Sequence, residues 1–165
     1  MSFKQYYQMV QYKLIHRILN VNVYLEKCKI ENSKLCSICK NNDETIDHVF
    51  IECNGRENFI IECKNWLDEK TKINFQISNL EFLFGILNEQ NDEYIDVYNR
   101  YFFILKMYIW QCRNDRTIPS LNCFIIFLTN EIIYERESLK LKNKDISKSL
   151  NLRWKDIITA LNINI

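Results

Sequence analysis

Cys36, Cys39, His48 and Cys53 stand in the spacing Cys-x2-Cys-x8-His-x4-Cys, and no other feature of the chain restricts its fold as much. Three thiols and one imidazole so placed match the Cys3His donor set of structural zinc sites, where the ion is tetrahedral. The Ser-Ile pair between Cys36 and Cys39 lets one tight loop aim both sulfurs at a single point. A short helix is predicted over residues 43–53, with Asp43 or Thr45 as its cap and Ile46, Val49 and Phe50 as its apolar face. His48 then falls in its first half and Cys53 at its end, before an Asn54-Gly55 break. The same residues in a plain hydrophobic core are the competing reading, since cysteine is often buried. Polar loops on both sides of the pair, Glu31 to Lys34 and Lys40 to Asp43, leave little core for that. Four protein donors close the coordination shell, so the expected zinc is structural rather than catalytic.

Only two glycines and one proline interrupt 165 residues that are 47% hydrophobic and 13% aromatic. Such a chain forms long regular elements and buries a true core. The periodicity is helical. Phe3, Tyr7, Val10, Leu14 and Ile18 make one stripe and predict a first helix from Phe3 to Leu19, followed by a short helix through Cys28 that packs Val23, Leu25, Cys28 and Ile30. Phe59, Ile60, Cys63, Trp66 and Leu67 give a helix over 56–70 in which Cys63 is a core thiol. Ile73 to Ile77 reads as a connector. Ser78 and Glu81 form a capping box opening a helix from Leu80 to Leu87. A polar stretch follows, then a long helix from about Asp92, apolar on nearly every side between Tyr101 and Cys112 and ending in solvent at Arg113 to Arg116. Pro119 is expected to start a helix with Phe124, Ile125, Leu128, Ile132 and Ile133 inward. The last helix, 145–161, shows Leu150, Trp154, Ile157, Ile158 and Leu161 on one face. The fold class is therefore mainly α: a zinc-stapled helical module over residues 1–72, then a helical bundle over 73–165, separate or continuous with it.

Net charge is +1, but it is unevenly spread: +5 over residues 1–40, −8 over 41–100 and +4 over 101–165. Basic ends suit a polyanionic partner and equally suit internal pairing. Seven cysteines, an odd number with three in the metal spacing and no opening signal peptide, fit a reducing intracellular compartment, nucleus or cytoplasm. No apolar run reaches the ~18–20 residues of a membrane span. Catalytic patterns are missing: no Gly-rich phosphate loop, no nucleophile elbow, no HExxH, no paired carboxylates and no polymerase Tyr-x-Asp-Asp. His16 alone remains as a neutral-pH base. A redox pair at Cys36-x-x-Cys39 is disfavoured by His48 and Cys53 at ligand spacing.

Leu14 to Leu19, then Leu35-Cys-Ser-Ile-Cys39, Glu44-Thr45, His48-Val-Phe50 and Cys53 together resemble the zinc-binding domain of non-LTR (LINE-type) retrotransposon reverse transcriptases. The similarity covers about residues 10–67, with Asn20-Val21 where Pro-Thr is usual. Phe82 to Gly85, Ile109-Trp-Gln-Cys-Arg113, Pro119-Ser120 and Glu135-Arg136 are similar to the C-termini of such polyproteins. The resemblance implies a nucleic-acid role next to an RNA-directed DNA polymerase. Polymerase and endonuclease motifs are absent here, so the chain would be a detached C-terminal part or a protein derived from one.

The sequence thus predicts a non-catalytic zinc module that engages RNA or DNA, with no membrane and no small-molecule substrate, and it fixes no oligomeric state. Lys13, Arg17, Lys27, Lys29, Lys34 and Lys40 are the candidates for phosphate contact. A solvated helix face accounts equally for Lys13, His16 and Arg17. Tyr12 and Tyr24 are candidates for stacking on bases, or else partly buried packing residues. The alternative is a structural or protein-interaction module in which zinc only stabilises the fold.

Overall fold

The computed structural model describes residues 3–74, 76–87, 92–141 and 146–163. Within them run α1 (Phe3–Ile15), α2 (Asn22–Lys27), a π-helical turn (His48–Glu52), α3 (Asn54–Thr71), α4 (Asn79–Phe84), α5 (Glu93–Asp115), α6 (Leu121–Leu141) and α7 (Ile146–Ala160). No β-strand occurs among the described residues, and an isolated antiparallel bridge pairs Leu35 with Asp43. The polar stretch at 88–91 and the start of the last predicted helix at 145 lie outside the described residues.

The long helix is the axis of the fold. α5 packs against α6, α7, α1 and the π turn, and α3 packs against α6 and α7. Between Tyr101 and Cys112 all but Phe103 and Gln111 are buried, as an apolar circumference requires. Aromatic rings fill the space between α3, α5 and α6. Phe124 meets Tyr101 edge-on at 5.3 Å and Phe59 edge-on at 6.2 Å, while Trp66 stacks on Tyr101. Such pairs add about 0.5–1.5 kcal/mol each beyond the area they bury. The Tyr101 hydroxyl donates to the Cys63 carbonyl at 2.7 Å, so its burial leaves no orphan. Cys63 is a buried core thiol, as the stripe predicts, and burial pushes its pKa up.

The capping box is present: Glu81 N–H donates to Ser78 Oγ, and Glu81 Oε2 accepts from Ser78 N–H at 2.8 Å. Asp92 caps α5 by accepting from the Tyr94 amide. Several boundaries differ from the sequence reading, each for a local reason. α1 stops at Ile15 instead of Leu19, because Arg17 takes a left-handed φ of 59° and His16, Arg17 and Ile18 close the last turn. Ile18 is consequently exposed rather than part of the stripe. α2 ends at Lys27, and Cys28 and Ile30 beyond it are exposed rather than packed. α4 ends at Phe84, where Gly85 adopts φ 99°, short of the predicted Leu87. Ser120, not Pro119, lies at the head of α6, its hydroxyl accepting from the Cys123 amide. Arg113 is not in solvent. It reaches back to the segment before the π turn.

Candidate metal centre

The chain before the centre is a small hairpin. Cys36 N–H donates to Asn42 O at 2.8 Å and Glu44 N–H to Lys34 O at 2.7 Å, with the Leu35–Asp43 bridge between them. Lys40, at φ 57°, turns the chain after Cys39, and its amide donates to Cys36 O. The Thr45 hydroxyl then accepts from the His48 amide at 3.0 Å and caps the turn that follows. Of the two predicted caps it is Thr45, not Asp43, that acts. Ile46, Val49 and Phe50 are buried as the predicted apolar face, but the helix is a widened π turn rather than a continuous α-helix to Cys53. That geometry is frequent where a functional side chain must be aimed.

Cys53 is extended (φ −76°, ψ 108°), and α3 begins at once. Asn54-Gly55 is therefore no break: it is the first turn of α3. Gly55 is needed for approach, not for flexibility. A Cβ there would lie 2.9 Å from Ile38 Cγ2 and 3.8 Å from the Cys39 Cβ. Only glycine lets the α3 terminus sit down on the Cys36–Cys39 loop.

These elements bring Cys36, Cys39, His48 and Cys53 together, with one donor atom from each within 4.8 Å of every other. Cys36 Sγ lies 3.8 Å from Cys53 Sγ, and Cys39 Sγ lies 3.3 Å from His48 Nε2. Tetrahedral zinc, with Zn–S about 2.3 Å and Zn–N about 2.0 Å, sets S···S at about 3.8 Å and S···N at about 3.5 Å. The spacing and the donor chemistry both fit a zinc ion. Cys36, His48 and Cys53 are buried and Cys39 half-buried, so little water reaches the centre. The Ile38 amide points at Cys36 Sγ at 3.4 Å. The Cys36 thiol is held well below its ordinary range, first by the hydrogen bond from Cys53, then by the Cys39 and Ile38 amides and the Arg56 charge, against the opposing effect of burial. Cys53 is pushed upward by that same hydrogen bond and by burial. The arrangement favours a thiolate, the form a metal needs.

Three more charged residues belong to this region and are not among the candidate ligands or phosphate contacts: Glu44, Arg56 and Arg113. Glu44 is 0% exposed. Its Oε1 accepts from Arg113 Nε at 2.8 Å, Arg113 Nη2 at 2.6 Å and the Asn22 amide at 3.0 Å, while Arg113 Nη2 also donates to Asn22 Oδ1. Arg56, also 0% exposed, directs Nη1 at Cys36 Sγ (3.9 Å) and Val49 O (3.4 Å). A signal for both arginines exists in the pattern: Arg56 is on the Phe59–Cys63–Leu67 stripe, and Arg113 follows Ile109 by four residues on α5.

The phosphate candidates scatter by environment. Arg17 forks onto Asp47 and Lys34 pairs with Asp43 at 2.9 Å. Lys13 is half-buried in a shallow groove beside Trp110 and Arg113. Lys27, Lys29 and Lys40 are exposed and have no ion pair among the described residues. Tyr12 and Tyr24 are 57% and 54% exposed, which removes their placement as packing residues, and Tyr12 lies against His16. His16 and Cys28 are exposed and stand outside the four-donor cluster. No described helix is long and apolar enough to cross a membrane.

Residues 2–59 match a family model described as zinc-binding in reverse transcriptase. That match covers the N-terminal third of the chain and contains all four donors. No curated protein and no solved structure matches the chain.

Proposed function

We propose that the chain is a non-catalytic zinc module of the reverse-transcriptase kind that holds RNA or DNA, the C-terminal part of a non-LTR retrotransposon reverse transcriptase or a protein derived from one. Cys36, Cys39, His48 and Cys53 hold the ion, and the ion fixes the hairpin, the π turn and the start of α3 against one another. The observation that carries the reading is the convergence of four donors, within 4.8 Å of one another, inside the stretch that matches the zinc-binding model. All donors come from the protein, so no coordination position is left for a reacting water.

Phosphate contact falls first to Lys27, Lys29 and Lys40, which are exposed and have no ion pair among the described residues. The end of α1 and the hairpin offer further groups in Lys13, Arg17 and Lys34, the last two at the cost of releasing Asp47 and Asp43. Tyr12 and Tyr24 present exposed rings on which single-stranded bases can stack, worth about 1–3 kcal/mol per base. Titration with single-stranded RNA and single-stranded DNA at two salt concentrations tests this. Binding at about 50 mM salt that weakens with salt, and weakens again in a Lys27, Lys29, Lys40 triple alanine variant, is the expected result. No binding at about 50 mM salt removes the nucleic-acid reading.

A second reading has its own support. Two of the six candidate cations are already paired within the chain, and Ile15, Ile18, Ile30 and Leu35 are exposed in the same N-terminal region. Those features suit a module whose zinc serves folding alone and whose surface meets protein. It predicts salt-insensitive behaviour toward RNA and DNA, with no measurable binding at either concentration.

A further inference from the structure

Arg56 has a burial that its partners do not explain. The side chain is fully enclosed, yet its Nε and Nη2 have no hydrogen-bond partner. Nη1 reaches only the Cys36 sulfur at 3.9 Å and the Val49 carbonyl at 3.4 Å. No carboxylate pairs with it among the described residues. A buried guanidinium ordinarily has an anion beside it, because removing a charge from water is costly unless an opposite charge replaces the solvent. Here the nearest candidate anion is the cluster of thiols itself.

Three thiolates and a neutral imidazole around a divalent cation carry one net negative charge. We propose that Arg56 is the countercharge of the metal centre: its guanidinium balances the excess negative charge of the zinc–tris-thiolate complex and thereby sets the affinity of the site for zinc. Resting on the reading that these four residues hold zinc, the proposal assigns Arg56 a positioning role and not a ligand role. The local structure delivers it to that place. Cys53 ends the π turn, Gly55 lets the head of α3 close on Ile38 and Cys39, and Arg56 follows with its amide donating to Cys53 O at 2.8 Å. One short run of chain thus supplies a donor, the close approach and the balancing charge. Val49 O, in the π turn between His48 and Cys53, anchors the same guanidinium.

The consequence is a difference between the two forms of the protein. With zinc bound, Arg56 faces an anionic complex and stabilises it. Without zinc, no anionic complex remains for the guanidinium to stabilise. A side chain that served only packing would contribute the same in both forms.

R56M and R56K separate these cases. Zinc affinity is read by competition with a chromophoric chelator, and melting temperature is read with zinc and with excess chelator. R56M is expected to bind zinc at least about tenfold more weakly, the scale seen when groups supporting metal ligands are removed, while R56K, which keeps the charge, stays within about threefold. In chelator, R56M is expected to melt at or above wild type. R56M affinity equal to wild type, or R56M melting lower by the same amount with and without zinc, overturns the proposal. Should R56M not fold, R56K decides alone: affinity within about threefold supports the countercharge, and a loss of about tenfold or more shows that shape rather than charge matters. Wild-type protein that takes up no zinc overturns the zinc reading together with this one. Wild type loaded with one zinc and an unaffected R56M overturns this one alone.

Discussion

Of the five polar or charged side chains buried among the described residues, Glu44, His48 and Arg56 lie between residues 44 and 56, beside the candidate ligands. The bundle of α5, α6 and α7, several times longer, contributes Lys106 alone. In the bundle, burial follows the apolar periodicity of each helix, and the aromatic lattice around Tyr101 and Phe124 needs nothing from outside the chain. Around the hairpin, the groups taken from water are thiols, an imidazole, a carboxylate and a guanidinium, and they are worth having inside only if they satisfy one another or an ion. One region folds on its own apolar surface. The other is conditional on what occupies it.

Removing the ion is the strongest way to break that contrast. Structural zinc in small sites contributes about 10–16 kcal/mol of apparent binding free energy, all of it available to folding. Chelation, or Cys39→Ser, is expected to strip amide hydrogen-exchange protection from roughly residues 25–60 and leave α5 to α7 protected, with loss only near the last turn of α5 where Arg113 and Trp110 meet the hairpin side. Exchange measured by mass spectrometry with and without chelator checks it. Uniform loss across the chain, or none anywhere, would show that the two regions do not differ in this way.

The join between the regions gives the next test. Glu44 and Arg113 form a nearly dry pair, with side chains 0% and 11% exposed, and the Phe50 and Trp110 rings stack beside it at 6.4 Å. Arg113→Met leaves the Glu44 carboxylate buried with only the Asn22 and Ser37 amides for partners. Removing one member of such a pair costs about 3–5 kcal/mol, whereas replacing both is close to neutral. Arg113→Met is therefore expected to destabilise the protein by about 3 kcal/mol, and the Glu44→Gln, Arg113→Met double variant to recover most of it. Urea unfolding with zinc present reads both. A double variant as unstable as the single one would mean that the pair acts through shape, not charge.

What the sequence made legible divides along the same line. Donor spacing and apolar stripes are local patterns, so the four ligand candidates, the Ser78 capping box, the buried α5 and the core role of Cys63 could be read directly. The Arg113–Glu44 clasp could not: it spans 69 residues, and a charged residue near a helix end reads as solvated when its partner is on another element. Arg56 was hidden by its type, since a cation on an apolar stripe is discounted unless the neighbouring anion is in view. Gly55 was misread because glycine after asparagine commonly marks a turn, and its real constraint, the Ile38 side chain 2.9 Å from where a Cβ would stand, comes from a loop earlier in the chain. Helix ends at Ile15 and Phe84 were set by left-handed or glycine turns that apolar periodicity does not encode.

Lys106 sharpens the contrast from the bundle's side, because it is the exception there. It is 3% exposed, its Nζ donates to Leu83 O at 2.7 Å, and burial lowers its pKa to about 8. Below about pH 8 the folded and unfolded chains both carry the proton, and the fold bears the full cost of the buried charge. From about pH 8 to 10.5 the unfolded chain holds more protons than the folded one, so this residue makes stability rise with pH over that window. Lys106→Met removes the charge at little loss of packing, and the Gln11 amide, 3.4 Å from Leu83 O, remains to serve that carbonyl. The variant is expected to be more stable than wild type by about 2–3 kcal/mol at pH 7, with the advantage fading toward pH 10.5. The buried tyrosines titrate in both proteins and cancel in the difference. A gain that stays constant with pH would trace to packing alone, and a loss at pH 7 would mean that the bundle, like the hairpin, depends on its buried charge.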